Sequence, residues 1–116
     1  MKGDDIANRL LDFSVQVLHL TCCMAKTPQG RHVAKQLIRS GTAVGAHYHE
    51  ARGAESRADF VHKIKIAAKE MRESNYWLRL IQRAQLAKTL DLSTAIDEAG
   101  QLVAILTASA KTAGRQ

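Results

Sequence analysis

The apolar residues of this chain recur at three- and four-residue spacing in four separate runs, and nowhere do they alternate as a half-buried strand requires. Four amphipathic helices follow. Ile6, Leu10, Phe13, Val17 and Leu20 mark the first, over about residues 4–24, with Asp4 and Asp5 against the positive end of its dipole. Thr27-Pro28-Gln29-Gly30 breaks the pattern. Val33, Leu37, Val44, Tyr48 and Ala51 then mark a second helix over about 31–53. Ser56-Arg57-Ala58-Asp59 predicts a capped start for a third, about 56–86, with Ser56 accepting from an early helical amide, Asp59 pairing Lys63 one turn on, and Glu70 pairing Ser74 in the same way but more weakly. Leu90 to Ser93 supplies a turn and cap, and Ile96, Ala99, Leu102, Val103, Leu106 and Ala110 give a fourth helix over about 93–112, with a frayed tail beyond it. Short connections force successive helices to run antiparallel. The expected fold is therefore all-α: an antiparallel up-down-up-down four-helix bundle, one domain over residues 1–116. An aromatic content of 4% and a single proline suit closely packed helices better than sheets.

The third helix carries more apolar surface than one packing partner can hide. On a helical wheel Phe60, Ile64, Ala67, Met71 and Leu78 fall in one narrow arc, the natural face toward the bundle. Ile66, Glu70, Glu73, Trp77, Leu80 and Ala84 form a second arc about 120° away. An edge helix of a monomer shows one apolar stripe and a polar remainder. Either the bundle wraps the second arc itself, or another copy of the chain covers it, with Trp77 as anchor. Self-association is the expectation. Gly41 and Gly45, four apart inside the second helix, cost about 1 kcal/mol each relative to Ala and so predict a close backbone approach. Gly41, Gly45, Ile66, Glu70, Glu73, Trp77 and Leu80 are the candidate interface residues.

A formal charge of +6 points toward polyanionic partners, although a charge of this size also occurs on ordinary soluble surfaces. On the wheel Arg72, Arg79 and Arg83 lie within about 80° of one another, a basic strip along one flank of the third helix and the candidate nucleic-acid contact. Repeated around an oligomer, such a strip binds with steep salt dependence and little sequence preference.

Other chemistry finds little support. His47, His49 and His62 lie near the turn after the second helix with Glu50 and Glu55, but His47 and His49 diverge by about 200° and cannot readily chelate one ion. Glu70 and Glu73 have the spacing of a di-iron motif without its histidine, and pairing with Lys63, Lys69 or Arg39 is the better reading. The adjacent Cys22 and Cys23 are poorly placed for a mutual disulfide, lack a local catalytic partner, and read as small packing residues. There is no phosphate-binding glycine loop or nucleophile elbow, so no enzyme activity, cofactor, metal or small-molecule substrate is expected. No signal-peptide pattern opens the chain and no run reaches the ~18 apolar residues of a membrane span, so the expected address is cytoplasmic, without a membrane partner.

One ordered series of residues adds a family. Ser40-Gly41-Thr42, Gly45-Ala46, Glu50-Ala51, Ala54, Ser56, Asp59-Phe60, Lys63, Ile66-Ala67, Lys69-Glu70, Glu73 and Tyr76-Trp77-Leu78 resemble the pattern of the four-helix-bundle proteins encoded in intervening sequences of bacterial 23S ribosomal RNA genes. The match is dense over the middle forty-odd residues and looser through Leu102 to Leu106; it departs at Ala43 and His47, where the family pattern has serine and asparagine. The resemblance implies a bacterial protein that assembles as a ring-like homopentamer, with no established activity. More distantly similar bundles are the accessory proteins of diversity-generating retroelements, where a basic pentamer engages RNA, DNA and a polymerase. The leading expectation is thus a non-enzymatic homo-oligomeric scaffold whose basic surface contacts RNA, DNA or a nucleic-acid-processing partner. A protein–protein adaptor without nucleic-acid affinity and a small metal-binding bundle stay open beside it.

Overall fold

A computed structural model describes residues 2–115, with side chains from residue 3. Four helices make up the fold: α1 (Lys2–Thr21), α2 (Pro28–Arg52), α3 (Arg57–Ala84) and α4 (Ser93–Gly114), with no strand among the described residues. The bundle is elongated, 47 × 22 × 19 Å. Residue pairings run in opposite senses along two neighbouring pairs, Asp4 to Arg52 and Ser14 to Gly41 between α1 and α2, Glu50 to Lys63 and Ser40 to Ser74 between α2 and α3. α3 packs extensively against both α2 and α4, whereas α1 lies along α2 and meets α4 lightly.

The stripes read from the sequence are the core. Leu10, Phe13, Leu37, Ile64, Met71, Leu78, Leu102 and Leu106 are all at 1% exposure or less, and Phe60 is half-buried at the edge. Each fully buried side chain of this size contributes about 1.5–3 kcal/mol, so the bundle rests mainly on these rows.

Helix ends shift by a few residues for identifiable reasons. α2 begins at Pro28, three residues before the sequence reading placed it, because proline suits a first helical position and Thr27 caps it, its Oγ1 accepting from the Gly30 amide at 3.0 Å. A side chain at Gly30 would run into the Ala25 carbonyl. α1 stops at Thr21, short of Cys22 and Cys23. Both cysteines are exposed, which corrects their reading as packing residues. At α3 the cap is as expected, Ser56 Oγ accepting from the Asp59 amide at 3.0 Å. The helix ends where Gln85 adopts a left-handed conformation, φ 56°. Just beyond, the Leu86 carbonyl accepts from the Ala25 amide at 2.8 Å and ties the two distal turns together. Asp91 opens α4, accepting from the Ser93 amide and hydroxyl at 3.0 and 2.7 Å. α4 then continues to Gly114, past the expected end at 112.

Two local pairings differ from expectation. Lys63 reaches across to Glu50 on α2, Nζ to Oε2 3.1 Å, instead of back to Asp59. Ser74 turns its hydroxyl away from the Glu70 carboxylate and into the core, where it bonds Ser40 Oγ at 2.8 Å with both residues fully buried. Each hydroxyl has one proton, so the pair works as a relay that ends on a backbone carbonyl of Glu70 or Leu37.

Candidate nucleic-acid interface

Two groups of cations contrast on this protein, while Lys26, Arg31, Lys35, Arg57 and Lys88, also exposed and without an ion pair among the described residues, are scattered over α2, the turns and the start of α3. Those on the flanks between helices are paired: Arg9 with Glu98, Arg39 with Glu70 and Glu73, Arg52 with Asp4, Lys63 with Glu50. Those on the outer face of α3 and the end of α4 are not. Lys65, Lys69, Arg72, Arg79, Arg83, Lys111 and Arg115 are exposed, and none of them forms an ion pair among the described residues. The strip of Arg72, Arg79 and Arg83 read from the sequence is therefore one end of a longer basic face. Its other end is a cleft of ≈ 900 Å³ between α3 and α4, where Lys65, Lys69, Arg72, Lys111 and Arg115 surround a floor of Val61, Ala68 and Ala110. Among the described residues no carboxylate lines it. The Thr107 hydroxyl at its edge is hidden from solvent and has no hydrogen-bond partner.

Lys65 and Lys69 were legible on the same wheel arc, but Lys69 had been spoken for as a partner of the glutamates. The structure gives that role to Arg39. Its guanidinium donates to Glu70 at 3.0 Å and to Glu73, which also accepts from the Trp77 indole at 3.0 Å. The indole bond, then the Arg39 contact, hold the Glu73 carboxyl below its ordinary value against the opposing effect of partial burial. Contact with these two opposite charges leaves the Arg39 guanidinium still more firmly protonated, Glu73 contributing most.

The remaining candidates divide. Gly41 is buried against α1 of the same chain, and a Cβ there would lie 2.9 and 3.1 Å from the two γ carbons of Val17. The close approach predicted from this glycine is thus made within the protomer, and Gly41 is withdrawn from the interface set. Gly45 faces Leu10, also on α1, more loosely: its Cβ would lie 3.7 Å from Leu10 Cβ. Ile66, Glu70, Glu73, Trp77 and Leu80 are half-buried along the α2–α3 seam, with Arg39 clamped across the two carboxylates and the His32 ring edge-on to Trp77 at 6.3 Å. The structure shows a further apolar face that the sequence reading missed, Leu11, Val15 and Leu18 on the outside of α1, exposed at 61%, 43% and 45%. Their spacing of four and three was visible in the sequence, but only one stripe was sought on that helix. His47, His49 and His62 are not drawn together, and no three His, Cys, Asp or Glu side chains gather at metal-binding distance among the described residues. No described helix is long and apolar enough to cross a membrane.

The model of the 23S rRNA-intervening sequence protein family matches residues 4–108. The chain belongs to that family. In solved structures the same architecture is found in a protein of unknown function from the S23 ribosomal protein family of Bacteroides thetaiotaomicron, 31% identical, with a TM-score of 0.83 over 96% of this chain and 99% of that one. Among curated proteins nothing matches. The family thus fixes the bundle and leaves the activity to be argued from the surface of this intervening-sequence protein.

Proposed function

We propose that this family member is a non-enzymatic, homo-oligomeric scaffold of the bacterial cytoplasm that contacts RNA through the basic face of α3 and α4. The observation that carries the reading is the segregation of charge. Flank cations are neutralised by carboxylates, while those from Lys65 to Arg83, joined by Lys111 and Arg115, stand without one. Unpaired, exposed cations in a row are what a phosphate backbone requires, and each phosphate bound releases condensed counterions. A family named for the intervening sequence of 23S rRNA makes RNA the polyanion at hand.

Self-association is supported by the apolar residues left outside the core, Leu11, Val15 and Leu18 on α1 and the half-covered Ile66 and Trp77 on α3. Contact between two unlike faces is heterologous, and with a rotation of one-fifth turn per copy it would close as the pentameric ring that the resemblance implies. Copies arranged that way would repeat the basic face around the assembly. Electrophoretic titration with RNA tests the reading: a shift at low salt that is lost at high salt, with the oligomer intact throughout, is expected. No shift at low salt would leave the protein–protein adaptor as the better account.

A further inference from the structure

One residue of the basic face is not a cation. At 100° per residue Tyr76 sits in the same ~80° arc as Lys65, Lys69, Arg72, Arg79 and Arg83, and the whole row is ~27 Å long at 1.5 Å per residue. Tyr76 is 59% exposed, the one large aromatic ring presented on this surface. It is also braced from behind. Its ring meets Trp77 edge-on, centroids 5.1 Å apart at 74°, and the indole is itself held by the Glu73 carboxylate and flanked by His32. The open side of Tyr76 borders a cleft of ≈ 330 Å³ whose other walls are Leu80 and the guanidinium-bearing Arg79 and Arg83.

An aromatic ring, an aliphatic side chain and two planar cations around a small cleft form a seat for a flat π-system that carries negative charge beside it. A nucleobase with its phosphates fits that chemistry, because stacking on tyrosine accepts any base and the cations take the backbone. In a duplex each base face is covered by its stacked neighbours, so Tyr76 would have no face to stack on, while the phosphates stay open to the cations. We propose that this site binds single-stranded nucleic acid, one base stacked on Tyr76 with the neighbouring phosphates on Arg72, Arg79 and Arg83. The proposal rests on the basic face being a nucleic-acid contact, and it adds the strandedness and the residue that reads it.

The two kinds of surface behave differently. A face that acts by charge alone prefers the duplex, whose phosphates are denser. A face with a stacking ring prefers the single strand, and loss of the ring weakens that strand alone, by between about 5- and 150-fold. The test is fluorescence anisotropy at low salt with labelled single-stranded RNA and a blunt RNA duplex of equal length, using the intact oligomer and its Tyr76→Phe and Tyr76→Leu variants. Single-stranded RNA should bind more tightly than duplex to the unaltered protein and to Tyr76→Phe. Tyr76→Leu should lose the stated factor toward single strands and keep its duplex affinity. Trp77, the sole tryptophan and the neighbour of Tyr76, should also change its emission on adding single strands and not on adding duplex. Equal binding of the two RNAs, unchanged in Tyr76→Leu, would overturn the stacking site while leaving the basic face standing. Binding of neither would remove both. A smaller oligomer in Tyr76→Leu by light scattering would assign the ring to a subunit contact and also overturn the proposal.

Discussion

Gly41 and Gly45 occupy the same helix one turn apart, yet replacing each with alanine should change stability in opposite directions. Alanine in a helix interior gains about 1 kcal/mol over glycine from backbone entropy. At Gly45 that gain comes free, since the added Cβ meets Leu10 at 3.7 Å, an ordinary contact. At Gly41 the Cβ would press on both γ carbons of Val17, at 2.9 and 3.1 Å. Val17 is 1% exposed and β-branched, so it has neither room nor a spare rotamer to retreat into. Overpacking of this kind costs about 1–3 kcal/mol. Net of the helical gain, Gly41→Ala should destabilise by about 1 kcal/mol and Gly45→Ala should stabilise by up to about 1 kcal/mol. Urea unfolding followed by far-UV circular dichroism measures both, at one protein concentration because association contributes to apparent stability. The clash can be relieved separately: in a Val17→Ala background Gly41→Ala should become neutral or favourable, a coupling of about 1 kcal/mol or more. Gly41→Ala stabilising as much as Gly45→Ala would refute the close α1–α2 crossing. Gly45→Ala breaking the oligomer with its helices intact would place that glycine between subunits instead.

Three further outcomes follow from other parts of the bundle. Ser74→Ala removes one of the two bonds of the buried Ser40 hydroxyl, leaving the one to the Leu37 carbonyl, and should cost about 0.5–1.5 kcal/mol in urea unfolding, while the Ser40→Ala, Ser74→Ala double variant should cost less than the two singles summed. Glu73 has its carboxyl lowered, so the stability and the indole contact it provides are present above the ordinary glutamate value of about 4.3 and lost as pH falls through the lower folded value. Trp77 emission should accordingly stay constant from pH 7 to about pH 5 and shift only below the ordinary value, and a transition centred above it would contradict the Arg39–Glu73–Trp77 cluster. Leu18→Glu and Trp77→Ala should each reduce the oligomer seen by light scattering more than they reduce helix content; an unchanged assembly would remove the corresponding face from the subunit contact.

What the sequence could show was whatever depends on spacing along one helix. The core rows from Leu10 to Leu106 follow from period alone, and the Ser56 cap follows from the residues around it. Features that need a second helix were hidden. Arg39 was one of three cations the sequence offered Glu70 and Glu73, but nothing in the chain ranks it, 31 and 34 positions away, above Lys63 and Lys69 as the group that bridges both. Lys63 chose Glu50 over the nearer Asp59 because α2 brings that carboxylate within 3.1 Å. Gly41 announced a close approach without saying to which neighbour, and the answer was α1 of the same chain. For the basic face the signal was present but divided. Lys65 and Lys69 shared the arc of Arg72, yet their freedom from carboxylates became visible only once Arg39 took the glutamates. Tyr76 entered the sequence reading only as part of the Tyr76-Trp77-Leu78 series, whereas α3 turns Leu78 inward, leaves Trp77 half-covered and exposes Tyr76.

The most direct test of the central claim is the salt dependence of RNA binding in the intact oligomer and in the combined Lys65→Gln, Lys69→Gln, Arg72→Gln variant, with Lys35→Gln on the outer face of α2 as control. For single strands log K falls with log salt by about 0.7 per phosphate neutralised, so the triple variant should bind more weakly and lose about 2 units of slope for each basic face engaged. The control should match the unaltered protein. A salt-independent interaction, or a slope the triple variant leaves unchanged, would show that the face of α3 and α4 is not where this protein meets RNA.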